Sequence, residues 1–123
     1  MQLSIVIPVY NEKNNISLLL SKINSAINKM KYEIIIVDDS SNDGSKKILK
    51  KLSNKFKNLK VIFRNKKIRD LSKSCRDGFE KSKSDKILVM DGDLQHNPKY
   101  ILRMIKMMKN KNCDVVIGVR DLV

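Results

Sequence analysis

Apolar residues along this chain fall into short runs, which alternate with longer segments where every third or fourth residue is apolar. The short runs are rich in valine and isoleucine, and turn-forming residues follow them, as is typical of buried parallel strands. The pattern predicts five strands, at Leu3–Val9, Glu33–Val37, Leu59–Phe63, 86–91 and Asp114–Gly118.

The segments between these strands carry apolar residues at the spacing of one helical face. Asn11 is the expected N-cap of the first helix, Asn42 or Asp43 that of the second, and Asn97 that of the last. The predicted inner faces are Ile16, Leu19, Leu20, Ile23, Ile27 and Met30, then Ile48, Leu49, Leu52 and Phe56, with further helices over 71–82 and Pro98–Lys109.

Strand and helix alternate four times before the fifth strand, which predicts right-handed βαβ units on an open parallel sheet. We therefore expect an α/β, Rossmann-like fold with helices on both faces and a strand order near 3-2-1-4, plus a fifth strand. In this order the first and fourth strands are neighbours. The length of 123 residues predicts that 1–123 form a single domain.

Polar motifs follow three of the predicted strands, namely Pro8–Glu12, Asp38–Asp39 and Asp91–His96. The carboxyl ends of parallel strands lie at one edge of a sheet, so these motifs should meet there. Like charges that crowd together repel, which favours a bound cation or a donor-rich ligand at this edge. The acids expected there are Asp38, Asp39, Asp43, Asp91 and Asp93.

Asp91 and Asp93 flank Gly92 between a strand and a helix, and two such carboxylates suit a hard divalent cation, Mg²⁺ or Mn²⁺. A solvated acidic turn has the same pattern. His96 fits either a ligand or a hydrogen-bonding side chain, and Asp39 either a contact to a base or ribose or an acid at a helix start. The chain contains neither a Gly-x-Gly-x-x-Gly motif after the first strand nor a Walker-type motif, which disfavours those nucleotide sites.

The chain has a net charge of +13, and 16 of its 26 basic residues lie within residues 46–86. A basic face of this kind fits anionic lipid, a phosphorylated substrate, nucleic acid or simply a solvated helix surface. Aromatic content of 5% makes nucleic acid the least favoured partner. Two widely spaced cysteines, and no signal-peptide pattern or long apolar run, predict a cytoplasmic protein, peripheral at the membrane face if it uses its basic surface.

Four stretches together resemble family-2 glycosyltransferases of the GT-A fold, and most of all the dolichol-phosphate mannosyltransferase and polyprenyl-phosphate glycosyltransferase group. The Asp-x-Asp-Leu-Gln-His block is the most specific of them. The resemblance runs from Leu3 to about Arg120. The stretches are Ile5–Glu12, Glu33–Gly44, Met90–His96 and Asp114–Arg120.

The resemblance implies roles for individual residues. Asp91 and Asp93 would be the catalytic acids and, with Gln95, would hold the metal ion. Asp39 would meet the base, and Arg120 would lie near the donor phosphates. The residues implied in nucleotide-sugar binding are Pro8, Tyr10, Glu12, Asp38, Asp39, Asp91 and Arg120.

By resemblance, the chain would be the nucleotide-binding portion of a metal-dependent, inverting transferase that uses a GDP- or UDP-linked sugar and a lipid phosphate acceptor. The alternatives are a nucleotide-sugar and metal-binding fragment without turnover, or a basic protein of membrane surfaces or nucleic acid. Asp70, where the family usually has glycine, should add a charge beside the donor. The chain ends where the acceptor half would begin, so we also expect exposed apolar surface and self-association.

Overall fold

The structure is a computed structural model that describes residues 1–119. Four strands alternate with four α-helices, and a short 3-10 helix precedes the last of them. In chain order the elements are β1 (Leu3–Val9), α1 (Ile16–Ile27), β2 (Tyr32–Asp39), α2 (Ser45–Lys55), β3 (Leu59–Arg64), α3 (Leu71–Lys81), β4 (Ile87–Val89), the 3-10 helix (Pro98–Tyr100) and α4 (Ile101–Lys111).

The four strands form one parallel sheet in the order β3-β2-β1-β4, which confirms the predicted topology. The register pairs Val9 with Asp38 and Asp39 with Arg64. The ends of β1, β2 and β3 therefore lie side by side. The loops that follow these strands share one edge of the sheet with the loop after β4.

Helices cover both faces of the sheet, as predicted. On one face, Ile5 and Ile7 of β1 belong to the larger core cluster, together with buried side chains of α1 and α2 such as Ile23 and Leu49. On the other face, Val6 lies under α3, where a β-carbon on Gly78 would come within 2.4 Å of its Cγ1 atom. Glycine in the middle of a helix is unfavourable, but here only glycine allows α3 to approach β1 this closely.

The predicted fifth strand is not formed within the described part of the chain. Residues 114–118 have no strand assignment, and Gly118 lies beside Met104 of α4. The strand that could pair with them, β4, is only three residues long, and its Ile87 and Val89 side chains are exposed. A short outer strand offers few main-chain partners, which explains why the Val-rich run stays unpaired.

Helix starts differ in part from the prediction. Asn11 does not cap α1, because Asn15 occupies the N-cap position, and Asn11 has a positive φ of 53° in the preceding loop. The expected cap at Asn97 is confirmed, since its side chain accepts a hydrogen bond from Lys99 N. Within residues 1–119, no helix is both long enough and apolar enough to cross a membrane.

Candidate functional site

The candidate site lies at the edge of the sheet where β1, β2 and β4 end. Asn11 joins the loops after β1 and β2, because its side chain donates to Asn42 Oδ1 and accepts from Asn42 N, both at 2.9 Å. The backbone N of Asn11 also donates to Ser41 Oγ at 2.9 Å. These three bonds hold the two loops in one orientation.

The Asp91–Gly92–Asp93 turn packs directly against the end of β1. A β-carbon at Gly92 would lie 2.8 Å from Val9 Cγ1 and 3.6 Å from Glu12 Cγ, so glycine permits this close approach. Glu12 is thereby placed beside the acidic turn, as the sequence predicts from the shared strand edge.

Hydrogen bonds within the turn fix its shape and leave both acids accessible. Asp91 N donates to His96 Nδ1 at 3.1 Å, so this nitrogen acts as an acceptor, and His96 Nε2 lies 3.7 Å from Asp91 Oδ2. Asp93 Oδ1 accepts from Gln95 N at 3.1 Å. The Asp91 side chain is 54% exposed. His96 thus orders the turn as a hydrogen-bonding side chain, and both carboxylates keep oxygen lone pairs for a ligand.

The five acids of this edge do not gather around one point. In the described chain, no three side chains of His, Cys, Asp or Glu lie close enough together to form a metal-binding group. The expectation that the acids of all three loops gather around one ion is therefore wrong for residues 1–119. The reason is that Asp43 accepts hydrogen bonds from Ser45 and Lys13 N, while Asp38 and Asp39 are engaged inside the protein.

Asp38 and Asp39 end β2 in different environments. Asp38 is fully buried, and its Oδ2 accepts from Ser41 N at 3.2 Å, whereas its Oδ1 has no hydrogen-bond partner among the described residues. Asp39 accepts from Arg64 Nη1 at 2.7 Å and from Asp70 N at 2.8 Å. Asp38 therefore holds its own loop, and Asp39 joins three elements.

Arg64 is the centre of a buried ion network that was not predicted from the sequence. Its side chain is only 6% exposed, and its Nε lies 3.1 Å from Asp77 Oδ2 of α3. Nη1 also donates to Ser74 Oγ and to the carbonyl of Asp70, both at 3.3 Å. A predicted register of β2 on β3 could have indicated this ion pair, because Arg64 and Asp39 lie opposite each other at the ends of these neighbouring strands.

Asp70, the residue in place of the family's usual glycine, caps α3. Its φ of −148° is extended backbone that any residue adopts, and its Oδ1 accepts from Lys73 N at 3.0 Å. The Asp70 carboxylate therefore stabilises the start of α3, where the free backbone N–H groups favour a negative charge.

The remaining implied nucleotide residues line the end of β1. Pro8 and Tyr10 are partly buried, and Glu12 Oε2 accepts from Asn15 Nδ2 at 2.7 Å. The Tyr10 ring stacks against Arg69, whose guanidinium carbon lies 3.8 Å from the ring centroid. Arg69 was also missed by sequence reasoning. Arg120 lies outside the described residues.

Two pKa shifts bear on the site. Burial and the nearby charge of Asp91 both raise the pKa of the Cys75 thiol, so it remains protonated and is a poor nucleophile or metal ligand at neutral pH. Burial opposes ionisation of Asp43, but hydrogen bonds from Ser45 and Lys13 N outweigh it and lower the pKa of that carboxyl. Asp43 is therefore a charged structural acid of the loop.

The basic surface has a groove of its own. A cavity of about 380 Å³ lies between β3 and α3, beyond the Arg64 network, and Lys66, Lys73 and Arg76 contribute to its lining. It is separate from the Asp91–Asp93 turn, so cationic and acidic features occupy different parts of the sheet edge.

The domain has a parallel 3-2-1-4 sheet, an acidic turn after β4, and loops after β1 and β2 that are joined by hydrogen bonds. These features define a Rossmann-like α/β domain of the GT-A type. The glycosyl transferase family 2 model matches residues 4–123, and the chain belongs to this family. The chain is also similar to a dolichol-phosphate mannosyltransferase of Pyrococcus furiosus, with 41% identity over 120 residues, which are 98% of this chain and 33% of that protein.

Solved structures show the same fold. The complex of S. aureus TarS residues 1–349 with UDP-GlcNAc superimposes with a TM-score of 0.73 at 26% identity, covering 90% of this chain and 32% of that one. The mannosyltransferase PcManGT of Pyrobaculum calidifontis, in complex with GDP-Man and Mn²⁺, gives 0.74 at 18% identity, covering 87% and 32%. The chain thus spans about a third of the length of each relative.

Proposed function

We propose that this chain is the nucleotide-sugar-binding portion of a metal-dependent glycosyltransferase that transfers a sugar, with inversion, from a nucleoside diphosphate to a polyprenyl or dolichyl phosphate. The family match supports glycosyl transfer, and the similarity to a dolichol-phosphate mannosyltransferase supports a lipid phosphate acceptor. The observation that carries the proposal is the ordered turn with two accessible carboxylates, Asp91 and Asp93, at the carboxyl end of β4.

The donor set of this turn fits a divalent cation. Asp91 and Asp93 would hold Mg²⁺ or Mn²⁺ through carboxylate oxygens, with Gln95 next to them in the turn. Two protein carboxylates at an exposed site leave coordination positions for donor phosphates. When bound, the ion would act as a Lewis acid that neutralises the negative charge of the leaving diphosphate. PcManGT and TarS, which were solved with GDP-Man and Mn²⁺ and with UDP-GlcNAc, support a nucleotide sugar as the ligand.

In this reaction, the described residues would need only to bind the donor and to position it. Tyr10, Glu12 and Asp39 would hold the nucleoside, and Asp91 with Asp93 would anchor the diphosphate at the adjacent end of β4. A lipid phosphate is already anionic, so it attacks the anomeric carbon without a strong general base. Attack from the side opposite the leaving diphosphate inverts the configuration.

Binding of metal and donor is the direct test. We would titrate the 123-residue chain with GDP-mannose and UDP-GlcNAc by calorimetry, with Mn²⁺ and with EDTA, and repeat the titration with Asp93→Asn. The matched control is Asp85→Asn, which removes the same charge from an exposed acid before β4. Loss of a charge-assisted contact predicts about tenfold weaker binding for Asp93→Asn and about twofold change or less for Asp85→Asn. Equal binding with and without metal, or by both variants, would refute the proposal.

Binding without turnover is the second candidate, because the chain spans about a third of the relatives it matches. Radiolabelled nucleotide sugar and polyprenyl phosphate, followed by organic extraction, separate the two candidates. Label in the organic phase indicates transfer, and metal-dependent binding without extractable label indicates a binding unit. Affinity for polyanions that falls steeply with salt and ignores Asp93→Asn would instead indicate a basic surface protein.

A further inference from the structure

Arg69 is positioned like a ligand-binding residue although nothing in the sequence singled it out. It precedes α3, and its guanidinium carbon lies 3.8 Å from the centre of the Tyr10 ring, at the end of β1. A guanidinium group that stacks on an aromatic face keeps its N–H groups in its own plane. In such a stack, the donors of the guanidinium group remain usable by a second partner.

The loop that carries Arg69 is held at both ends by two consecutive residues where β2 ends, Asp39 and Ser40. At its start, Ser40 Oγ donates to the carbonyl of Arg64 and accepts from Lys66 N at 2.9 Å. At its end, Asp70 N donates to Asp39 Oδ2 at 2.8 Å. Asp39, the last residue of β2, and Ser40, which follows it, therefore fix the segment 65–69 at its two ends.

The charge of Arg69 is not neutralised within the described chain. Arg64, the other arginine of this region, forms ion pairs with Asp39 and Asp77, whereas Arg69 forms no ion pair with an acid among residues 1–119. An exposed cation with a fixed plane, next to a predicted nucleotide pocket, suits an anion with several oxygens.

We propose that Arg69 binds the phosphates of the donor nucleotide and that Tyr10 holds its guanidinium plane in place by stacking. This inference rests on the proposed function, since it assigns a further contact in the same site. A fork of N–H donors can contact two phosphate oxygens at once, while a lysine at this position would supply charge without the plane or the stack.

The test compares a nucleoside diphosphate with its nucleoside. In the presence of Mn²⁺, calorimetry with GDP and UDP, and ligand-detected NMR with guanosine and uridine, would be run on the unaltered chain, Arg69→Ala and Arg69→Lys. Arg103→Ala is the matched control, because it removes the same charge from an exposed position on α4. Loss of charge-assisted hydrogen bonds predicts about tenfold weaker diphosphate binding for Arg69→Ala, a smaller loss for Arg69→Lys and about twofold or less for Arg103→Ala.

Nucleoside binding should be the same for the unaltered chain and Arg69→Ala. In a Tyr10→Leu background, Arg69→Ala should weaken diphosphate binding less than it does in the unaltered chain, because the stack is already lost. Two outcomes would overturn the role of Arg69 but not the proposed function. They are an equal loss of diphosphate affinity in Arg69→Ala and Arg103→Ala, and an equal loss of affinity for nucleoside and diphosphate in Arg69→Ala. Failure of the unaltered chain to bind either diphosphate would overturn the proposed function as well.

Discussion

Replacing Gly78 with alanine tests the packing of α3 on the sheet, and the sequence and the structure predict opposite signs for the effect. Alanine is the better helix former by about 1 kcal/mol, so helix propensity alone predicts a more stable protein. In the structure, the new β-carbon would lie 2.4 Å from Val6 Cγ1, 3.1 Å from Cγ2 and 3.3 Å from Cβ. The overlap involves both γ-carbons of a buried side chain, so Val6 or α3 must shift to accommodate the added β-carbon.

The magnitude follows from these two opposing effects. A contact of 2.4 Å with a fully buried side chain belongs at the upper end of the cost of overpacking, about 3 kcal/mol. Subtracting the gain in helix propensity of about 1 kcal/mol leaves a loss of about 2 kcal/mol in the free energy of unfolding. Urea denaturation followed by circular dichroism at 222 nm measures this difference directly.

Two further variants separate the clash from other causes. Ser72→Ala changes an exposed position of the same helix and should alter the free energy of unfolding by about 0.5 kcal/mol or less. Val6→Ala is destabilising by itself, but it removes both γ-carbons, so Gly78→Ala in that background should be neutral or stabilising by up to about 1 kcal/mol. A stabilising effect of Gly78→Ala in the unaltered chain, or the same effect in both backgrounds, would refute this account of the packing.

Three other outcomes are expected. Arg64→Ala leaves Asp39 buried without its cation, so the free energy of unfolding should fall by about 3 kcal/mol in urea titrations, and a loss below about 1 kcal/mol would contradict a structural role. Glu33 is buried, which opposes its ionisation, but hydrogen bonds from Ser4 and Lys83 N and the charge of Lys60 hold the pKa of this carboxyl below the usual value of a glutamate. This stabilisation is present above the unfolded-state pKa and is lost as the pH falls through the lower folded-state pKa, so Glu33→Gln should flatten the acid limb of a plot of stability against pH. Val89 is exposed on an edge of β4 that has no strand partner among residues 1–119, so Val89→Lys should reduce any self-association seen by sedimentation velocity, whereas a fully monomeric unaltered chain would contradict the expected association.

The fold was largely predictable because it depends on features that are local in sequence. Buried parallel strands need continuous apolar runs, which predicted the strands, and the order 3-2-1-4 was expected from the dinucleotide-binding topology of such alternating chains. Errors arose where tertiary contacts decide. Asparagine is a favoured N-cap residue, but the side chain of Asn11 instead forms hydrogen bonds with Asn42. The run at Asp114–Gly118 has no strand partner in the described chain.

The placement of the polar motifs at one sheet edge was also predictable, but the state of their side chains was not. Motifs after β1, β2 and β4 had to lie at one edge of a parallel sheet. Which acids remain available depends on partners distant in sequence, such as Arg64, which lies 25 residues from Asp39. The sequence placed five carboxylates at this edge, while the structure separates the two acids of the turn, exposed Asp91 and partly buried Asp93, from three that stabilise loops.

Asp39 belongs both to the predicted nucleotide pocket and to the Arg64 ion network. The carboxylate expected to contact the base is the same one that accepts hydrogen bonds from Arg64 and Asp70 N. Each carboxylate oxygen has two lone pairs, so one hydrogen bond to each oxygen leaves capacity for a base N–H group. Holding the carboxylate in place before the ligand arrives lowers the ordering cost of binding. Asp39→Asn should consequently weaken both stability and nucleotide affinity, whereas Asp77→Asn, which loosens Arg64 from the other side, should reduce stability more than affinity. Equal losses of affinity in the two variants, measured well below their unfolding temperatures, would mean that Asp39 acts only through the framework.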